Sequence, residues 1–252
     1  MHFENREEAM KFQKRLDSYV RSRDQEPIWH FSLETAYDIC RIRWNARIFS
    51  ALVDLRINSM LVSCDLFETR RLWGELDQKV SAPQYHEEDY IFVVHMQIHH
   101  LLSGVVLRYR ALWDKLFELL LLFPFQSPRS NEENEKIIQE AGITEGKKNL
   151  RKLLRRTPMN PNNIIKIFTY LQRFDSLFRT PEAHSAGGAM SKWTLPAQKI
   201  DDTPFPEFLL GAWNLWNNAE DMLGNMFGEK ALTLLKAEQE YAKKTTVFNE
   251  AS

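Results

Sequence analysis

Arg179 and His184, in the stretch FRTPEAH (residues 178–184), carry the most suggestive chemistry in the 252-residue chain. A tight turn brings residues four to six apart within side-chain reach, so an arginine at a helix end and a histidine beyond the turn can face one small volume. Histidine takes or gives a proton near neutral pH. Arginine stays charged and offers a fork of donors to phosphate oxygens that gain charge in a transition state. The pair suits phosphate-ester chemistry. On RNA it would need neither a metal nor a covalent intermediate, because the ribose 2′-hydroxyl supplies the nucleophile. The same spacing also describes a helix C-cap arginine followed by a surface histidine, and spacing alone leaves both readings open. Around the pair, Thr180 can hydrogen-bond, Glu182 could orient His184 or accept from a ribose hydroxyl, and Ser185 could donate to a phosphate. A solvated loop is the alternative. The Gly187-Gly188 pair lacks the Gly-Lys-Ser/Thr that a phosphate-binding P-loop would need.

A second feature is the segment EGKKNLRKLLRR. Lys147, Lys148, Arg151, Lys152, Arg155 and Arg156 place six cations within ten positions around a stripe of Leu150, Leu153 and Leu154. Such a helix can contact a nucleic-acid backbone and make binding salt-dependent. Alternatively it is a solvated amphipathic helix whose charges pair with Glu132, Glu133 and Glu135. Its apolar face has no Trp or Phe to anchor it in a membrane surface. A third feature is His95, His99 and His100. His95 and His99 are one helical turn apart, the spacing of imidazole pairs that share a metal in hydrolases. No HExxH accompanies them, and the surrounding VVHMQIHHLLSG reads as core, so packed or interface histidines are favoured and no cofactor is expected.

The elements that must position these residues read as helices throughout. Gly and Pro are scarce in the first 120 residues and no useful strand alternation occurs. Ile42, Ala46, Phe49, Val53, Ile57, Met60 and Cys64 form one stripe, predicting a single long helix from about Ser32 to Lys79. Ser81-Ala82-Pro83 breaks it. A second long helix is expected from about Glu87 to Phe123, with Phe92, His95, His99, Leu102, Val106, Tyr109 and Trp113 on related faces, paired antiparallel with the first. Residues 125–158 read as an insertion, with a short capped helix from about Asn131 to Ala141 followed by the basic segment. Asn160 as N-cap and Pro161 at the first helical position open a core helix that keeps Ile164, Ile167, Phe168, Leu171, Phe174 and Phe178 in register. It should end near Arg179, since Pro181 disfavours helical geometry at Thr180. Thr203-Pro204 signals the start of a last helix past Trp213, Trp216 and Phe227, with a frayed tail over 245–252. The Trp-rich stretch WNLWNN reads as packing or a partner surface.

An all-helical chain with a long hairpin, a core helix ending in arginine and a histidine five residues on resembles the HEPN superfamily of helical nucleotide-binding and ribonuclease domains. Its catalytic signature is Arg-x4-6-His, here RTPEAH. The resemblance implies a helical bundle with the basic segment inserted, Arg179 stabilising the phosphate and His184 acting as acid-base group. It also implies metal-independent endoribonuclease activity leaving a cyclic phosphate end, a homodimer that brings two motifs to a shared cleft, and a toxin or phage-defence role with an antitoxin or other protein partner. Thr180 stands where the family frequently has Asn, Asp or His. Non-catalytic members occur too, and for them RNA, nucleotide or protein binding by the same surface is implied.

Composition sets outer bounds. With 44% hydrophobic residues the chain can bury one large core, and it is read as a single domain over 1–252. A net charge of −1 gives no whole-chain bias toward nucleic acid, so any such footprint must be local. Two cysteines without a CxxC pair argue against a disulfide framework or zinc knuckle and fit a reducing cytoplasm. Neither a signal peptide nor a membrane span is expected.

Overall fold

A computed structural model describes residues 6–8, 11, 14, 31–80, 88–142, 147–180, 199–200, 203–204 and 231–243. Apart from one two-residue ladder, the regular structure of these residues is helical: the fold is all-α. The helices are α1 (Phe31–Ile42), α2 (Ala46–Val80), α3 (Glu88–Leu122), α4 (Asn131–Gly142), α5 (Lys147–Leu154), α6 (Pro161–Phe174) with a π-helical turn at Asp175–Arg179, and α7 (residues 231–243). Packing divides the chain into two compact units. One takes in Met1–Ile57, Trp113–Ile167 and Ala219–Ser252, the other Asn58–Leu112 and Phe168–Asn218.

In the first unit, the single helix expected from Ser32 is two. The backbone leaves α1 after Arg43 N–H bonds Ile39 carbonyl, and Asn45 starts α2. Its Oδ1 accepts from Ile48 N–H at 3.1 Å while its carbonyl takes Phe49 N–H at 3.0 Å, the geometry of an N-cap. The apolar stripe runs through this break because Ile42 and Ala46 keep their spacing; the short amide side chain, which competes locally for backbone donors, was the overlooked signal. Asn45 Nδ2 also donates to Asn131 Oδ1 at 3.2 Å, tying the start of α2 to that of α4. Phe49 packs edge-on to Tyr37 with ring centres 5.6 Å apart, fixing α1 against α2. The end of α3 is closed by Pro124 and by Arg129, whose Nη1 donates to the Leu121 carbonyl in the last turn at 2.9 Å. A reciprocal capping box opens α4: Glu133 N–H donates to Ser130 Oγ at 3.1 Å and Ser130 N–H to Glu133 Oε2 at 2.8 Å.

In the second unit α2 and α3 run antiparallel, as the hairpin reading requires. Asp65 pairs with Arg108, and further along Glu68, Arg71 and Leu72 stand beside Phe92–Leu101. Gly104 leaves room for the Arg108 side chain, since a Cβ there would meet its Nη1 at 2.7 Å. Val94, Ile98, Leu102, Val105, Val106 and Tyr109 are the buried face of α3. Phe92, expected on that face, is 62% exposed, in a shallow hollow that it shares with Glu68, Arg71 and Leu72 of α2. The core helix, which belongs to the first unit up to Ile167 and to the second from Phe168, behaves as its pattern dictates: Ile164, Ile167, Phe168, Leu171, Phe174 and Phe178 are all buried, and Asn160 Oδ1 caps Asn162 N–H at 2.9 Å. Thr203 and Pro204, expected to start the last helix, pair instead with Lys199 and Ile200 in a two-residue antiparallel ladder. The tryptophans of that helix and the tail over 245–252 lie outside the described residues.

Candidate active site

Arg179 is the last residue of the π-turn that ends the core helix. Thr180 keeps helical angles, φ −66° and ψ −46°, despite Pro181 beyond it, because its N–H donates to the Asp175 carbonyl across the widened turn. The helix ends near Arg179 as expected, and only the non-helical geometry expected of Thr180 is corrected. Such turns are uncommon and recur at functional positions. The aromatic stripe underneath holds the turn in place: Phe174 packs on Phe178 at 5.1 Å and on Tyr109 at 4.9 Å between ring centres.

Asp175 organises the charges. Its side chain is 15% exposed and both of its oxygens accept from Arg110 Nε, at 3.0 and 3.3 Å. Arg110 rises from α3 with a side chain 9% exposed. Burying either charge alone would be costly; together they satisfy one another. On the outer side Arg179 Nη1 stands 3.9 Å from Asp175 Oδ1, and the Arg179 side chain is 48% exposed. The arginine of the motif therefore points outward, with a carboxylate at its base and a buried arginine behind that carboxylate. Neither Arg110 nor Asp175 was singled out from sequence. Asp175 was legible as an acid one helical turn before Arg179; Arg110, inside an apolar stripe, had no local signal.

Thr180 is exposed beside Arg179. His184, Glu182 and Ser185 lie outside the described residues, as do Gly187 and Gly188.

The basic segment belongs to the first unit. It is helical over Lys147–Leu154, and Arg155 and Arg156 follow in turn geometry, so the helix is two residues shorter than its charge run. Lys152, Arg155 and Arg156 are exposed, Arg151 is half-buried, and the side chains of Lys147 and Lys148 lie outside what the structure describes. Two of the three acids named as partners are engaged elsewhere: Glu135 binds Arg47 at 3.0 and 3.3 Å, and Glu133 closes the capping box. Among the described residues no ion pair joins Lys152, Arg155 or Arg156.

His95 and His99 are half-buried and His100 is exposed. Burial holds the His95 pKa below its ordinary value. Among the described residues no group of three or more His, Cys, Asp or Glu is arranged to hold a metal ion, and no helix is long and apolar enough to cross a membrane.

Compared with known proteins, the chain matches no family model, no curated protein and no solved structure.

Proposed function

We propose that the chain is a HEPN-like, metal-independent endoribonuclease in which Arg179 and His184 act on the phosphodiester. The observation that carries the reading is the outward guanidinium of Arg179, held at its base by Asp175, which Arg110 fixes from beneath. A guanidinium pre-positioned at a helix end and left half in solvent can receive an anionic substrate without large reorganisation. In the proposed reaction the 2′-oxygen bonds to phosphorus and the bond to the 5′-oxygen breaks. His184 takes the proton from the nucleophile or gives one to the leaving oxygen, and Arg179 neutralises charge on the non-bridging oxygens. The products are a 2′,3′-cyclic phosphate and a 5′-hydroxyl. The exposed cations of the basic segment would supply sequence-independent contacts to the RNA backbone.

The test is incubation of the full chain with end-labelled single-stranded RNA in excess chelator, with the termini mapped afterwards. Cyclic phosphate ends are expected. Cleavage that needs a divalent ion would overturn the reading and favour metal chemistry at His95 and His99. Sedimentation across a concentration series tests the homodimer that the same reading implies, with a concentration-independent monomer as the contrary result.

A second reading has one observation in its favour: Arg179 already has an anionic neighbour in Asp175. A helical module that binds RNA, nucleotide or protein without cleaving would use the arginine in this structural way. RNA retention without cleavage in the same experiment selects it.

A further inference from the structure

The first unit contains a cavity of about 500 Å³ where the end of α3 meets α4 and α5. Its base is apolar: Leu120, Leu121, Phe125 and Leu153 line it and all are buried. Arg129, Lys136 and Arg156 stand around it, together with the carboxylates of Glu133 and Glu140. A neighbouring hollow of about 450 Å³ shares Lys136, Glu140, Leu153 and Arg156 with it and adds Lys152. The volume falls in the range of small-molecule sites, and the lining joins buried apolar side chains to several charged ones.

The charges at this edge do not cancel. Glu133 is committed to the Ser130 N–H at 2.8 Å. Glu140 follows Lys136 by one helical turn, where it offsets that lysine in part. Arg129 is half-buried and one of its nitrogens is spent on the neutral Leu121 carbonyl at 2.9 Å; burial correspondingly pulls its pKa down, with Glu133 opposing. Arg156 is exposed and, among the described residues, has no acidic partner. Three cations, Arg129, Lys136 and Arg156, thus stand against two carboxylates, Glu133 and Glu140, in a lining that also holds an apolar base.

We propose that this cavity binds an anionic amphiphile, its apolar chain or ring against Leu121, Phe125 and Leu153 and its carboxylate or phosphate head on Arg156 and Lys136. Hydrophobic contact supplies the affinity for the body, and charge-assisted hydrogen bonds fix the head. The site shares Arg156 with the RNA-backbone contacts proposed above and holds neither Arg179 nor His184, on which the cleavage reading rests. Arg151 and Arg155, on the other side of the basic segment, line neither hollow.

The test titrates the full chain with decanoate, decyl phosphate and decanol, followed by calorimetry. Saturable one-to-one binding of at least one anion is expected, with decanol weaker by about tenfold or more, as loss of a charge-assisted contact implies. The tighter of the two anions identifies the head. Arg156→Gln and Lys136→Gln should each weaken that anion by about tenfold, with circular dichroism unchanged because both side chains are exposed. Ile137→Trp, at the wall of the cavity, should abolish binding of anion and alcohol alike; the two charge variants decide the matter if the tryptophan variant does not fold. Equal affinity for decanol and both anions, or unchanged affinity in Arg156→Gln and Lys136→Gln, would overturn the proposal.

Discussion

Asp175 in the second unit and the cations of the basic segment in the first are two ways for charge to sit in a helical protein. Asp175 is largely withdrawn from water, which a carboxylate tolerates only with partners, and Arg110 reaches both of its oxygens. Lys152, Arg155 and Arg156 stay in solvent, where hydration suffices and no partner is required. The difference is one of purpose. A buried pair fixes where a third group, Arg179, can stand; an exposed cluster keeps its charge for whatever arrives carrying the opposite sign.

The largest effects should follow from breaking the first arrangement at its outer end. If Arg179 serves a transition state, Arg179→Ala and His184→Ala should each slow single-turnover RNA cleavage by about a hundredfold to ten-thousandfold, while RNA still binds. A double variant should be little worse than either single one when the two act as a unit. Undiminished cleavage by His184→Ala would remove the catalytic assignment altogether.

Moving inward changes the readout from rate to stability. Arg110→Ala leaves the Asp175 carboxylate withdrawn from water without its main donor, and should cost about 3–5 kcal/mol in urea denaturation. Arg179→Ala, at the half-exposed rim of the same carboxylate, should cost no more than about 1 kcal/mol. Equal losses from the two would mean that the rim arginine, and not the buried one, holds the turn together.

What the sequence made legible follows the same division between packing and charge. The stripe from Ile164 to Phe178 and the long hairpin could be read because apolar periodicity is imposed by burial, and burial is what the structure realises. The break at Asn45 was missed because a cap acts through one side-chain hydrogen bond that leaves the stripe intact. Phe92 was misassigned since periodicity cannot say how far along a helix its neighbours cover the apolar face. Arg179 was legible from its distance to Pro181 and His184, yet its support was not. Arg110 lies 69 positions upstream of Arg179, and only the fold brings α3 against the π-turn.

The exposed cluster predicts a smaller effect of another kind. Arg155→Gln should leave stability unchanged and reduce the slope of log affinity against log salt by about one, uniformly across RNA sequences. Arg155 is the cleaner choice than Arg151, whose half-buried side chain would add a folding cost. An unaltered slope would assign Arg155 to an ordinary solvated face.

His95 completes the comparison as a half-buried titratable group with one enclosed nitrogen. Its Nε2 is enclosed and makes no hydrogen bond among the described residues, and burial holds its pKa below the ordinary 6.5. The sign follows from proton counting. As pH falls through 6.5 the unfolded chain binds a proton at this position before the folded one does, so protonation favours unfolding. The stability present above that pH is lost progressively through the interval down to the folded pKa, and the loss then levels off. His95→Gln removes the titration, so wild type should lose more stability than the variant between about pH 7.5 and about pH 5.5, the interval in which histidine ordinarily changes charge. Comparing the two proteins in this way cancels the contributions of Asp65 and the other carboxylates. A stability difference between them that is the same at both pH values would mean that His95 is already solvated in the folded chain, and that the second unit leaves no unpaired charge to penalise.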